Sequence, residues 1–168
     1  FLDVGHSRLA YRRFGSGPDL LFVHGWPLHS ATFRKLVPLL AQDFTCHLID
    51  LPGTGQSESD ADAPIDLVSH VATVRRAVEA LGLARYAMLA HDSGGFIARM
   101  VAADDPRVTG LVLGNTEVPG HTPWLVALLV LLARRAEGKL LLAMLESRAV
   151  RRSSLGFGGC FSDLEQLE

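Results

Sequence analysis

Short apolar, β-prone runs alternate along the chain with longer stretches whose apolar positions recur at helical spacing, and this alternation predicts a mostly parallel sheet flanked by helices. Phe1 to Val4 and Arg8 to Phe14 read as opening strands broken at Gly5. Gly15-Ser16-Gly17-Pro18 is the turn before a continuous apolar run, Asp19 to His24, of the kind buried on both faces. From there helix follows strand. Ser30 is the expected cap of a helix through Leu40, and Phe44 to Asp50 is the next strand. In Pro64 to Leu81 the residues Ile65, Val68, Val71, Val74 and Ala77 form the stripe of an amphipathic helix that Gly82 closes. Tyr86 to His91 is a strand, Gly94 to Ala103 a helix ended by Asp104-Asp105-Pro106, and Val108 to Asn115 a further buried strand, about six strands in all.

After Pro119-Gly120 and Pro123 the strand signals cease, and two Leu-rich helical stretches follow, Trp124 to Arg135 and Lys139 to Arg148. The expected organisation is a core over residues 1–120 and a partial helical cap or lid over 121–168, packed on the sheet rather than laid on a membrane. Arg151 to Ser154 and Gly156 to Gly159 read as loop, and Ser162 to Glu165 opens another helix. With 168 residues, 48% hydrophobic and 20% charged, the chain is globular and holds one sizeable core. A net charge of −2 supplies no field for a phosphate backbone, so nucleic acid is not an expected partner. The longest apolar run, Trp124 to Ala133, falls short of the roughly 20 residues of a membrane span. Cys46 and Cys160, far apart, form no disulfide framework or metal pair, which makes the reducing cytoplasm the default location.

The chemistry concentrates at Leu89-Ala90-His91-Asp92-Ser93-Gly94-Gly95, where a strand runs straight into a helix through small residues. A nucleophile elbow holds its central residue in a strained turn and needs small side chains two positions before and after it. With Asp92 central these are Ala90 and Gly94; with Ser93 central they are His91 and Gly95, and His91 is bulky. Asp92 fits better, and Ser93 remains the alternative nucleophile. A plain helix cap is the bland reading of Asp92. Against it stands His24-Gly25-Trp26-Pro27, which ends an earlier buried strand on the same sheet edge. The backbone amides of Trp26 and Ser93 are the expected oxyanion donors, with His24, Gly25 and Pro27 supporting that loop.

These motifs, in this order, resemble the α/β-hydrolase superfamily and within it the aspartate-nucleophile branch of haloalkane dehalogenases, epoxide hydrolases and fluoroacetate dehalogenases. His24-Gly25-Trp26-Pro27 resembles the family's oxyanion segment, Asp50-Leu51-Pro52-Gly53-Thr54-Gly55-Gln56-Ser57 its loop after the fourth strand, and His91-Asp92-Ser93-Gly94-Gly95 its elbow. The resemblance implies an α/β-hydrolase fold and a hydrolase of small organic molecules without a cofactor, working through an alkyl ester on Asp92. It runs from Phe1 to about Pro123, with the Leu-rich region in the place of the cap. Family members continue with the rest of the cap, two more strands and a loop bearing the catalytic histidine, so the chain is expected to be cut within the cap region.

Two positions depart from the family. Ser93 stands where dehalogenases and epoxide hydrolases usually carry Trp and fluoroacetate dehalogenases Arg. At Gly114-Asn115-Thr116-Glu117, where some members carry the acid that orients the histidine, Asn115 sits at that depth as a pocket residue and Glu117 is the local acid candidate, its alternative being a solvated loop carboxylate. Two rival functions follow: a Ser93 carboxylesterase, or a binding module with no turnover. Other signals are weak. Gly53-x-Gly55 has Glu58 where a dinucleotide fingerprint needs Gly, and Glu117-x-x-x-His121 lies on a Pro/Gly loop rather than a helix face, so neither nucleotide nor metal is expected. His91 and His24 read as structural.

Overall fold

The computed structural model describes residues 1–117 and, beyond them, residues 120, 124, 127, 130, 131, 139 and 146–153. Its strands are β1 (Leu2–Asp3), β2 (Ser7–Leu9), β3 (Tyr11–Phe14), β4 (Asp19–Val23), β5 (Thr45–Ile49), β6 (Glu58–Ser59), β7 (Tyr86–His91) and β8 (Val108–Gly114). Its helices are α1 (Val37–Leu40), α2 (Leu67–Leu81), α3 (Ser93–Asp104) and α4 (Arg148–Arg152), with a 3-10 turn at Ser30–Phe33. The main sheet has the order β3-β5-β4-β7-β8, antiparallel only between β3 and β5. A small antiparallel sheet, β1-β2-β6, stands beside it.

Both faces of β4 and β5 are buried, as the unbroken apolar run of β4 requires, and β7 is buried on one face and half-buried on the other. Leu21, Val23, Ile49, Met88 and Ala90 pack under Val71, Val74 and Val78 of α2 and Ile97, Ala98 and Val101 of α3. On the opposite face Leu20, Phe22, Cys46 and Leu48 meet Phe33 and Val37, with Phe22 edge-on to Phe33 at a centroid distance of 5.1 Å. The buried stripe of α2 is His70, Val71, Val74, Ala77 and Val78, which leaves Val68 and Ile65 exposed where the periodicity had them inward. Asp66 caps α2 by accepting from Val68 N and Ser69 N, both at 3.0 Å, so the helix starts three residues after Pro64. Gly82 ends it with a left-handed φ of 64°, a conformation that favours glycine.

Two expected elements are divided by polar side chains. Arg8 to Phe14 is two strands in two sheets, because Ala10 N donates to Ser57 Oγ at 2.9 Å and its carbonyl accepts from Asp50 N at 3.0 Å. Ser30 caps no helix. Its amide donates to Asp50 Oδ1 at 2.9 Å, the 3-10 turn is capped by His29, and α1 is a single turn. Asp50, fully buried, also accepts from Gln56 N at 2.9 Å. A Cβ on Gly55 would lie 2.5 Å from its Cγ. Burial alone would raise the Asp50 pKa, but hydrogen bonds from the Ser30 hydroxyl and the Gln56 and Ser30 amides, with His24 nearby, bring it below the ordinary value.

Residues Phe1–Glu117 and Val118–Glu168 form two compact units. In the second, Trp124, Ala127, Val130, Leu131, Lys139 and Glu146 are helical. Ser147, with extended backbone, separates Glu146 from α4, so helix runs to Arg152 where loop was expected. Most of the two Leu-rich stretches, Cys160 and Ser162 to Glu165 lie outside the described residues.

Asp50→Ala strips the acceptor from a buried loop amide, Ser30 N, and a part-buried one, Gln56 N, and is expected to cost about 3 kcal/mol by urea unfolding. Asp66→Ala, which removes an exposed cap, should cost about 1 kcal/mol. Equal losses would show that Asp50 does not hold the loops.

Candidate active site

The chain passes from β4 to β5 on one side of β4 and returns to β7 on the other, so the carboxyl ends of β4 and β7 border the crevice where strand order reverses. Val23 pairs with Ala90, which places the two following segments, His24-Gly25-Trp26-Pro27 and Asp92-Ser93, side by side. His24 is fully buried. Its Nε2 accepts from Leu51 N at 2.9 Å and therefore carries no proton, while Nδ1 donates to Gly25 O at 3.1 Å. Burial holds its pKa below the ordinary value, against a smaller opposing effect of the Gly25 bond and the Asp50 charge. His24 thus fastens the β4 exit to the Leu51–Thr54 turn.

Asp92 has φ 56° and ψ −135°, a left-handed conformation that costs a non-glycine residue on the order of 1–3 kcal/mol. Ser93 is already the first residue of α3. A Cβ on Gly25 would come within 2.8 Å of Asp92 Cγ, and one on Gly94 within 2.8 Å of the His24 carbonyl carbon. One on Gly95 would lie 2.5 Å from Thr116 Cβ. The small residues around Asp92 therefore let β4, α3 and the β8 exit close on it together. The Asp92 carboxylate accepts from Ser93 N. Trp26 N donates at 2.9 Å to Ser93 Oγ, so in this state it reaches the elbow through that hydroxyl. The Trp26 side chain is exposed, and the Trp26–Pro27 peptide is cis.

At the end of β8 Asn115 is exposed with φ 45°, next to Gly114, whose carbonyl accepts from Asp92 N at 3.1 Å. Glu117 is tied elsewhere: its carboxylate pairs with Arg99 of α3 and accepts from Thr116 Oγ1 at 2.6 Å. Among the described residues no histidine is hydrogen-bonded to Asp92. Among the described residues His91 Nδ1 is buried without a hydrogen-bond partner, and His47 bridges Tyr11 and Asp19 away from the elbow.

Beside the elbow lies a cavity of about 290 Å³, lined by Trp26, Ser93, Thr54, His70 and the apolar Leu51, Leu67 and Ile97 among others. A larger one, about 680 Å³, is walled by Phe14, Val37, Leu48 and Arg12 and contains no elbow residue, so size is no guide to the chemistry. His70 and Thr54 were not among the candidates read from the sequence. The available signal was a polar residue on the otherwise apolar stripe of α2.

Residues 18–141 match the family model of the alpha/beta hydrolase fold. The chain belongs to that family. It is 35% identical over 117 residues to haloalkane dehalogenase 2 of Mycobacterium tuberculosis (strain ATCC 25618 / H37Rv), covering 69% of this chain and 41% of that protein. It is 38% identical over 99 residues to the pimeloyl-[acyl-carrier protein] methyl ester esterase of Stenotrophomonas maltophilia (strain K279a), covering 59% of this chain and 36% of the esterase. A solved structure of the epoxide hydrolase CorEH superposes with a TM-score of 0.66 at 29% identity, covering 82% of this chain and 50% of that one. The chain thus spans about two fifths of the length of these two curated relatives. No helix among the described residues is long and apolar enough to cross a membrane.

Burial holds both His24 and His70 below the ordinary histidine value of 6.5, for His70 against the charge of Asp66. The unfolded chain therefore takes up protons that the folded one refuses. Stability is complete above about pH 6.5 and falls as pH drops through the folded values. Thermal melts from pH 8 to pH 5 should show a falling midpoint, flattened in His70→Gln. A midpoint that rises on acidification contradicts the assignment.

Proposed function

We propose that this chain is the nucleophile-bearing part of a hydrolase that acts on a small molecule with an electrophilic sp³ carbon through an alkyl ester on Asp92. The supporting observation is Asp92 itself, a carboxylate at the centre of an elbow, in a left-handed conformation, with Gly25 drawn against it. An Asp92 oxygen attacks carbon, the bond to the leaving group breaks, and the leaving group takes the electron pair. Water then adds to the carbonyl of that ester, the alcohol leaves, and the carboxylate returns. The oxygen that gains charge in this second step is a carboxyl oxygen of Asp92, and Ser93 N already donates to that group. Trp26 N is the second donor of the proposal, one hydroxyl away. The base that activates water is a histidine outside the described residues, and residues 121–168 are proposed as part of a helical cap.

A Ser93 esterase is the second reading, favoured by the likeness to the methyl ester esterase. Two features weigh against it: the Ser93 hydroxyl accepts from Trp26 N, and Ser93 lies inside α3 rather than at the strained turn.

Turnover in ¹⁸O water separates the two. Water attacks the carbonyl of the Asp92 ester, so label is expected in the Asp92 carboxylate, and Ser93→Ala should leave it there. Label absent from Asp92 during turnover would refute the reading. Trp26→Phe keeps the amide and should lose less than about 10-fold in rate, whereas losing an oxyanion donor costs on the order of 10²-fold to 10³-fold. A loss that large would assign the indole a part in the chemistry.

A further inference from the structure

The cavity on the α1 side of the sheet, about 680 Å³, lies within the roughly 300–1,000 Å³ of small-molecule sites and shares no lining residue with the cavity beside the elbow. Its two ends differ in chemistry. Arg12 and Phe14 stand two residues apart on β3, so they share a face and lie roughly 7 Å apart along the strand. Arg12 pairs with Leu48 toward the carboxyl end of β5, and Phe14 with Cys46 toward its amino end. Beyond Phe14 the chain turns at Gly15, where a Cβ would lie 2.8 Å from Ala41 Cα, so β3 and the end of α1 come together there. Phe14, Val37, Pro38, Ala41 and Leu48 make the walls apolar.

The Arg12 end is polar and positive. Arg12 is half-buried; its Nη1 donates to Ser30 Oγ at 3.3 Å and its Nη2 to Gln56 Oε1 at 2.5 Å. Both partners are neutral, and three of the five guanidinium N–H groups have no acceptor among the described residues. None of the ion pairs among the described residues includes Arg12. Asp50 meets it only at one remove, since that carboxylate accepts from Ser30 N, the Ser30 hydroxyl and Gln56 N. Arg34 is a second cation of the lining, and no Asp or Glu lines the cavity, in a chain whose net charge is −2.

We infer that this cavity binds an amphipathic monocarboxylate, a single alkyl chain whose carboxylate meets the Arg12 guanidinium and whose tail lies along Leu48 and Val37 toward Ala41 and Phe14. The planar fork of open N–H groups matches a carboxylate, and the apolar walls match the chain. A wholly apolar occupant would cover a cation and leave its N–H groups unpaired, which costs more than it gains there. A bare anion would leave the walls empty. The inference stands apart from Asp92, because no residue of the elbow takes part.

Calorimetric titration of the protein near neutral pH with decanoate, 1-decanol and acetate tests it, together with methyl spectra that report where each probe sits. Decanoate should bind about 10-fold more tightly than 1-decanol, although the alcohol is the less soluble in water, and acetate at least about 100-fold more weakly than decanoate. Decanoate should move the methyl resonances of Val37, which lines this cavity, and leave those of Ile97, which lines the other. Arg12→Gln should weaken decanoate about 10- to 100-fold, the effect of a charge-assisted hydrogen bond, and leave 1-decanol unchanged, which also shows that the cavity still forms. If Arg12→Gln fails to fold, the three probes and the methyl shifts of the unsubstituted protein decide. No binding of decanoate, 1-decanol bound as tightly as decanoate, shifts at Ile97 with none at Val37, or equal losses of decanoate and 1-decanol in a folded Arg12→Gln overturns the site.

Discussion

The left-handed backbone of Asp92 exists because the exit of β4 and the first turn of α3 touch with nothing between them. Gly25 lies against the Asp92 side chain and Gly94 against the His24 carbonyl, at separations that leave no room for a methyl group on either glycine. The parallel register of β4 and β7, through Val23 and Ala90, sets this approach, and the burial of β4 on both faces and of β7 on one sets the register. Strain of on the order of 1–3 kcal/mol at one residue is thereby held by the packing of a whole sheet. The carboxylate that results stands at the start of a helix, with an amide already donating to it.

The opposite wall of the crevice depends on two buried polar groups. His24 ties the β4 exit to Leu51 N, and Asp50 gathers Ser30 N and Gln56 N. Neither is hydrogen-bonded to Asp92. They fix the segments that carry Trp26 N and Thr54 to the cavity beside it, so that the loops arrive as one rigid wall. This is how a loop keeps the sub-ångström placement that catalysis needs.

The elbow and the buried strands β4 and β5 were legible in the sequence because their causes are local, whereas β8, expected to be buried, is half-buried to exposed along its length because among the described residues it pairs only with β7 at the edge of the sheet. Small residues two positions either side of Asp92 are the condition for the turn, and the apolar run Asp19 to His24 is the condition for a central strand. The division of Arg8 to Phe14 was not legible, since it is made by the Ser57 hydroxyl and the Asp50 amide, 47 and 40 residues along the chain from Ala10. Ser30 looked like a helix cap for the same reason: the group that claims its amide, Asp50, is distant in sequence. The α2 stripe was read slightly rotated, with Val68 and Ile65 inward, which hid His70 on the buried side. β6, two residues long, has no periodicity to detect. At Glu117 the sequence offered an acid, and the ion pair with Arg99 that occupies it is a tertiary contact.

Asp92 as the covalent nucleophile is the central claim, and peptide mass mapping after brief exposure to an epoxide, an alkyl halide or an activated ester tests it most directly. The account predicts an added mass on the peptide that contains Asp92, equal to the whole molecule for the epoxide or to the molecule less HX for the alkyl halide, formed with at least one of the two, abolished by Asp92→Asn and kept by Ser93→Ala. An acyl adduct on Ser93, with Asp92 unmodified by every compound, would contradict it.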